Sequence, residues 1–264
     1  MDEGKILILM INISASIVIY NEKEEILKRV IEDFLSIKLK KELIVVDNSP
    51  QNSLEKFCQQ FDGVKYIFNN HNLGFGRAHN LAFTNLTHSS DLHLILNPDI
   101  YFDGDAIKNF LLWMQKAEDT VLAVPEVLSP DSSRQYTVRK IPTPLTLIKR
   151  RLNIKGMFNE FIKKDEFRDV NFTQVSEIPF AHGCFFAFKT EIFKKLNGFD
   201  EDYFMYMEDV DIFLRAKKYG KTVLNPNYMI FHEHRRGSAK NITLLLHHIS
   251  SASKFFKKHK TINQ

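Results

Sequence analysis

The sequence predicts an α/β fold, a doubly wound and mostly parallel sheet in one large domain over residues 1–240, with an amphipathic, basic C-terminal helix over 241–264. Three observations predict it. Short apolar runs at 16–20, 43–46, 64–68 and 92–96 alternate with helix-period segments at 25–36 and 53–61. Polar residues follow several of these runs (Asn21-Glu22, Asp47-Asn48, Asn97-Pro98-Asp99), where a parallel sheet meets its ligands. A chain of 264 residues, 44% hydrophobic and 26% charged, can also bury one substantial core with the composition of a soluble domain.

The net charge of +4 implies no nucleic-acid partner. Lys and Arg nevertheless crowd into 139–164 and 254–260. Cys58 and Cys184 make no disulfide framework, which points to a reducing cytoplasm. The run 6–20 is apolar but carries Asn12, Ser14 and Ser16 and follows Asp2 and Glu3, so it reads as buried strand, not as a signal or a spanning helix. The Asn-X-Ser/Thr triplets at Asn12, Asn85, Asn171 and Asn241 then carry no glycan.

In chain order, Asn21 and Glu22 fall at the rim of the first strand. Helix 25–36 sets Ile26, Val30, Ile31 and Phe34 on one face. Strand 43–46 ends in Asp47-Asn48-Ser49-Pro50, which serves as turn chemistry or as a ligand rim. After helix 53–61 and strand 64–68 comes Asn69-Asn70-His71-Asn72-Leu73-Gly74-Phe75-Gly76-Arg77-Ala78-His79-Asn80. Its two glycines before a helix let backbone approach a ligand, but the third glycine of a dinucleotide fingerprint is missing. Strand 92–96 runs into Asn97-Pro98-Asp99. Asp103 and Asp105 suit a helix cap. Asp99, behind a proline, suits a hard divalent cation, which needs only one or two carboxylates when phosphate oxygens complete its shell.

Residues 121–125 read as a strand and 129–133 as a turn. The basic stretch carrying Arg139, Arg150, Arg151, Lys155, Lys163 and Lys164 is a solvated face, or a clamp for an anionic acceptor or membrane surface. Residues 178–188 read as one strand containing His182, Gly183 and Cys184. Strands at 222–224 and 228–231 precede His232-Glu233-His234. The last helix, 241–260, lines up Ile242, Leu245, Leu246, Ile249 and Phe256 and ends in basic residues, which fits packing on the domain or a peripheral membrane contact.

The densest constellation is Phe199-Asp200-Glu201-Asp202-Tyr203-Phe204-Met205-Tyr206-Met207-Glu208-Asp209-Val210-Asp211, continuing as a helix to Gly220. Three acids in a first helical turn oppose the helix dipole. Asp211 and Arg215, four apart, read as a surface pair. The aromatic run just upstream is the kind of apolar surface against which a carboxylate is tuned into a base.

This stretch resembles the family 2 glycosyltransferases of GT-A fold, whose signature reads Phe-Asp-Glu, aromatics, then Glu-Asp-Val-Asp. The resemblance implies that Asp209 is the general base and that Glu208, His182 and Gly183 lie on the acceptor side. The segment Asn-x-Gly-Phe-Gly-x-Ala-x-Asn is similar to the family's donor-nucleotide segment. It implies that Asp47 bonds a pyrimidine base, with Asn72, Gly74 and Asn80 on the ribose and diphosphate side and Asn21, Glu22 and Asn97 at the same rim. Asn97-Pro98-Asp99 resembles a variant of the family's Asp-x-Asp metal motif in which Asn97 replaces the first acid. A Mg²⁺ or Mn²⁺ then rests on Asp99, with His232, or else His234, reaching the metal or diphosphate.

Arg-x-x-Pro-Thr at 139–143, followed by Arg150 and Arg151, resembles the rhamnosyltransferase-like branch, which builds bacterial surface polysaccharides. The implied reaction is inverting transfer of rhamnose from dTDP-rhamnose to a glycan or polyprenyl-diphosphate-linked acceptor, with Arg139, Arg150 and Arg151 taking a phosphate. The expected site of action is the cytoplasm, with peripheral contact on the anionic inner face of the cell membrane. Two rival readings are a nucleotidyltransferase, which would want a Gly-rich basic loop where Tyr20-Asn21-Glu22-Lys23 stands, and a non-catalytic nucleotide- or glycan-binding protein. Within the enzyme reading, UDP-hexose is the alternative donor.

Overall fold

The computed structural model describes residues 11–152, 156–233 and 242–260. Val, Ile and Leu runs place β1 (Asn12–Ile19), β2 (Lys40–Asp47), β3 (Val64–Phe68) and β4 (Leu92–Leu96) side by side. The helices between them are α1 (Glu24–Ser36), the single turn α2 (Glu55–Cys58) and α3 (Phe75–Thr84). All four strands are parallel in the order β3-β2-β1-β4. After β4 come β5 (Ile100–Tyr101), α4 (Gly104–Lys116) and β6 (Thr120–Leu128). Asp103 caps α4, its carboxylate accepting from Ala106 N at 2.7 Å, as its position before the helix predicts.

The C-terminal half contains β7 (Val138–Arg139), α5 (Pro144–Arg151), α6 (Asn159–Asp165), β8 (Ser176–Glu177), β9 (Phe180–Ala181), β10 (Phe185–Lys189), α7 (Thr190–Lys195), α8 (Glu208–Ala216), β11 (Lys221–His232) and α9 (Ile242–Lys258). The main sheet has nine strands and runs β3-β2-β1-β4-β10-β6-β11-β5, with β8 paired to β11. It is mixed because β10 lies antiparallel to both β4 and β6.

Three element readings change. The single strand expected at 178–188 is two: β9 turns away to pair with β7, and His182 N donates to Thr137 O at 3.0 Å. The strands expected at 222–224 and 228–231 are one, β11, whose register slips between Asn225 and Met229, around Pro226. The basic stretch is two short helices, α5 and α6.

One core joins α1 and α4 to one face of the sheet through Leu27, Ile31, Phe34, Ile107 and Phe110. The opposite face is aromatic: Phe186, Phe188, Phe193, Phe199, Tyr203 and Phe213 pack beneath α8, and Phe255 of α9 joins them. On this side β1 carries Ser14 and Ser16, which meet His93 Nδ1 at 2.8 Å and His79 Nδ1 at 2.7 Å. Burial holds both imidazoles below their ordinary pKa, His93 at about 3, so they sit neutral in the core.

The expected surface pair of Asp211 and Arg215 is instead a buried hub. Asp211 is 1% exposed. It accepts from Arg215 Nε at 2.6 Å and bonds His259 Nε2, just beyond α9, at 2.8 Å. Arg215 also donates to Leu196 O at 2.9 Å and Gly198 O at 3.0 Å. The helix periodicity is right, but the aromatic layer closes over the pair. We expect Asp211→Asn to cost about 3 kcal/mol, within the range for breaking a buried ion pair, and urea unfolding measures it; a cost below about 1 kcal/mol would return the pair to the surface class.

Candidate active site

The site gathers at the carboxyl ends of the parallel strands. Asp47 ends β2, Asn97 and Asp99 follow β4, and His232 ends β11. His182 lies in the turn between β9 and β10, and Cys184 O of that turn accepts from Asn97 N at 2.9 Å. This bond ties the β4 end to the corner that holds Asp209.

That corner begins with strained backbone. Tyr206 and Met207 both adopt φ of 70°, left-handed values that non-glycine residues rarely hold, immediately before α8. The kink throws the two acids apart. Glu208 is buried at 7% exposure, and its Oε2 has no hydrogen-bond partner among the described residues. Burial, reinforced by the adjacent Asp209, raises its pKa to about 8. Asp209 Oδ2 lies 3.0 Å from His182 Nδ1. A carboxylate only accepts, so Nδ1 carries the proton in this contact. His182 is 45% open at its side chain, yet desolvation and the Arg139 guanidinium hold its pKa down against the pull of Asp209.

A second pair lies at the end of β11. His232 Nε2 sits 3.2 Å from Asp99 Oδ1, its Nδ1 lies 3.1 Å from Gln135 Oε1, and Gln135 Nε2 donates to His232 O at 2.6 Å. Gln135 thereby orients the ring so that Nε2 faces Asp99, the arrangement in which an imidazole serves as a metal ligand. One carboxylate oxygen and one imidazole nitrogen suit Mn²⁺ or Mg²⁺ when ligand oxygens supply the rest. Among the described residues, no group of three or more His, Cys, Asp or Glu forms a closed metal cage. His234 lies outside the described residues, as do Lys155, Arg235, Arg236, Gly237 and Ser238.

Several expected ligand residues are committed to the protein. Asp47 has no exposed surface; its two carboxylate oxygens accept from Ser49 N at 2.8 Å and Tyr66 OH at 2.6 Å. It therefore holds the turn. Gly74 (φ 82°) does need glycine, but a Cβ there would collide with Phe204 O, so the protein's own loop makes the close approach. Asn80 is likewise turned inward: its Nδ2 donates to Phe199 O and its Oδ1 accepts from Phe199 N, both at 2.8 Å. Asn72 Oδ1 accepts from Gly74 N at 2.9 Å. Asn21 (φ 51°) and Glu22 stay at the β1 rim, with Asn21 N bonded to Ser49 Oγ at 2.7 Å.

The three arginines divide. Arg139 pairs with Glu166 at 3.1 Å, and Arg150 pairs with Asp165, so two of the expected phosphate clamps are spent inside a half-buried ionic cluster. Desolvation and the neighbouring Arg150 lower the Arg139 pKa to about 10. Arg151 is exposed on α5 and makes no ion pair among the described residues. Gly183, beside His182, packs against Phe186. Residue-by-residue reading misses Gln135 and Tyr66, which carry no sequence signal, whereas Asn48, expected at the rim after β2, bonds both Asn72 and Gly74.

The comparisons with known proteins agree with this architecture. The glycosyl transferase family 2 model matches residues 14–197, more than half the chain. A second model, the N-terminal domain of galactosyltransferase, matches 167–236 and so includes Asp209. The chain belongs to glycosyl transferase family 2. Among curated relatives, rhamnosyltransferase WbbL of Escherichia coli (strain K12) is 26% identical over 77% of this chain and 76% of its own length. The N-acetylglucosaminyl-diphospho-decaprenol L-rhamnosyltransferase of Mycobacterium tuberculosis is 25% identical over 78% and 69%.

Among solved structures, GalNAc-T7 with UDP, GalNAc and Mn²⁺ superposes with a TM-score of 0.64 at 16% identity, covering 97% of this chain. The mannosyltransferase PcManGT from Pyrobaculum calidifontis, in complex with GDP-Man and Mn²⁺, gives 0.62 at 15% identity, covering 93%. This chain spans 48% and 64% of those two chains. They establish the GT-A fold. Among the described residues no helix is long and apolar enough to cross a membrane.

Glu208 supplies a pH test. Its pKa is raised from 4.5 to about 8 in the fold, so the folded state keeps a proton that the unfolded chain releases. Its contribution to stability is full below 4.5, declines as pH rises, and is gone above about 8. We expect Glu208→Gln, which stays neutral, to gain stability relative to wild type between pH 5 and pH 9 in thermal unfolding. Parallel curves for the two proteins would overturn the buried-proton assignment.

Proposed function

We propose that this chain is an inverting glycosyltransferase that moves rhamnose from dTDP-rhamnose to a bacterial glycan or lipid-linked acceptor. The observation that carries the reading is Asp209: one carboxylate oxygen held by His182 at the rim, beside a buried and protonated Glu208. In a single displacement the acceptor hydroxyl oxygen bonds the anomeric carbon as the bond from that carbon to the diphosphate breaks. The hydroxyl proton passes to Asp209, and the nucleoside diphosphate leaves. His182 fixes the orientation of Asp209. Neutral Glu208 keeps a second negative charge away from the base.

Asp99 and His232 would hold a Mg²⁺ or Mn²⁺, which when bound offsets charge on the departing diphosphate. The rhamnosyl donor rests on the two rhamnosyltransferase relatives, and a lipid-linked acceptor on the diphospho-decaprenol in the name of one of them. Arg151 of α5 and Lys257 of α9, which make no ion pair among the described residues, support peripheral contact with an anionic membrane on the cytoplasmic side.

Two experiments test the roles separately. Asp209→Asn should lower turnover by about 10²–10⁴-fold and leave nucleotide affinity, read by calorimetry, unchanged. An active Asp209→Asn with an inactive Glu208→Gln would transfer the base role to Glu208. Asp99→Asn and His232→Ala should instead weaken nucleotide binding in Mn²⁺ while leaving metal-free binding as it was. If dTDP, UDP and GDP stabilise the protein equally in thermal shift, the pyrimidine donor is wrong.

A further inference from the structure

Beside this corner lies an apolar groove that the chemistry above does not use. It runs between α5 and α9, encloses about 630 Å³, and lies within the size range of ligand sites. Leu147, Ile148, Leu152, Leu245, Ile249 and Phe256 are among the residues that line it. Ile148 and Ile249 are 53% and 56% exposed, so two facing helices present aliphatic side chains to solvent rather than to each other.

The groove has a polarity along its length. Tyr206 and His248, in edge-to-face contact at 5.0 Å, line it close to the catalytic corner, since Tyr206 is three residues before Asp209. Arg150 and Arg151 also line it. Arg150 is occupied by Asp165, which leaves the exposed Arg151 guanidinium as the arginine available to a ligand among the described residues that line the groove. Behind it, Arg139, Arg150 and Arg168 pair with Asp165 and Glu166. An apolar trough, a cation at its wall and a base beyond its end match a molecule with a hydrocarbon chain, a phosphate and a sugar hydroxyl, in that order.

We propose that the α5–α9 groove seats the isoprenoid chain of a polyprenyl-diphosphate-linked acceptor, with Arg151 receiving the diphosphate and the terminal sugar reaching Asp209 past Tyr206 and His248. This rests on the glycosyltransferase reading and goes further by committing to a single lipid molecule held by its chain. The groove then acts on acceptor choice: water-soluble glycans with the same terminal sugar lose the contribution of chain burial.

The probe is geranylgeranyl diphosphate, used below its micelle concentration, compared in calorimetry with inorganic diphosphate and with geranylgeraniol. Wild type should bind the complete molecule at least about tenfold more tightly than either fragment, as burial of several methylenes requires. Ile249→Asp and Arg151→Glu should each abolish that advantage while thermal unfolding and dTDP binding stay at wild-type values. Equal binding of geranylgeraniol, untouched by Arg151→Glu, would overturn the proposal in favour of non-specific apolar capture. Wild-type binding to phosphatidylglycerol vesicles without capture of geranylgeranyl diphosphate would make this face a bilayer-docking surface and overturn it. A wild-type dimer that Ile249→Asp converts to monomer in sedimentation would assign the face to a second copy. Retention of dTDP binding in any of these outcomes leaves glycosyl transfer standing, whereas loss of all nucleotide binding in wild type removes the reading beneath both.

Discussion

The clasp between Asn80 and the backbone of Phe199 is the contact on which the site depends. One side-chain amide satisfies both the N–H and the C=O of a residue 119 positions away. Around it, Gly76 lies where a Cβ would come within 2.7 Å of Phe199 Cβ, and Phe75 N donates to Phe204 O at 3.1 Å. The segment after β3 and the segment before α8 are thus one interlocked unit. Buried amide groups are costly to leave unpaired, so a shift of either segment exposes the other to that penalty.

The interlock gives the strained entry to α8 its support. Two successive residues at φ of 70° persist only where neighbouring structure over-determines them. Here the constraint comes from three sides. Asn80 and Gly74 hold 199–204 from below, and Arg215 holds Leu196 and Gly198 from within α8. From above, α9 closes the loop, with Ser251 Oγ donating to Met205 O at 2.8 Å and Lys254 Nζ to Asp202 O at 2.7 Å. The C-terminal helix, which reads from sequence as an appendage, is a wall of the loop that leads into Asp209. It is also half of the lipid groove proposed above, so the placement of Asp209 and the recognition of an acceptor chain share one element.

Charge is apportioned by burial. Glu208 and Asp209 are adjacent in sequence, but the helix start buries Glu208, whose pKa rises with that burial, and leaves Asp209 at the rim beside His182. The arginines divide in the same way. Arg139 and Arg150 meet Glu166 and Asp165 as the chain folds back through α6, while Arg151, one residue further round α5, faces outward.

Much of this protein was legible in its sequence. The alternation of 43–46, 64–68 and 92–96 with helical segments specifies the parallel half-sheet, because burial on both faces demands continuous aliphatic runs. The Glu208-Asp209-Val210-Asp211 cluster and Asn97-Pro98-Asp99 are local motifs; the structure sets Asp99 beside His232 and Asp209 beside His182, but it buries Glu208 and Asp211. What sequence could not decide is which polar groups the chain would use on itself. Asp47 meets Tyr66, Asn80 meets Phe199, Asp211 meets His259 and Arg139 meets Glu166, partners that lie 19, 119, 48 and 27 positions away. Helix and strand periods report neighbours three, four or two residues apart, and no local period encodes such distances. Only the closed fold determines whether a carboxylate or guanidinium faces its own protein or a ligand.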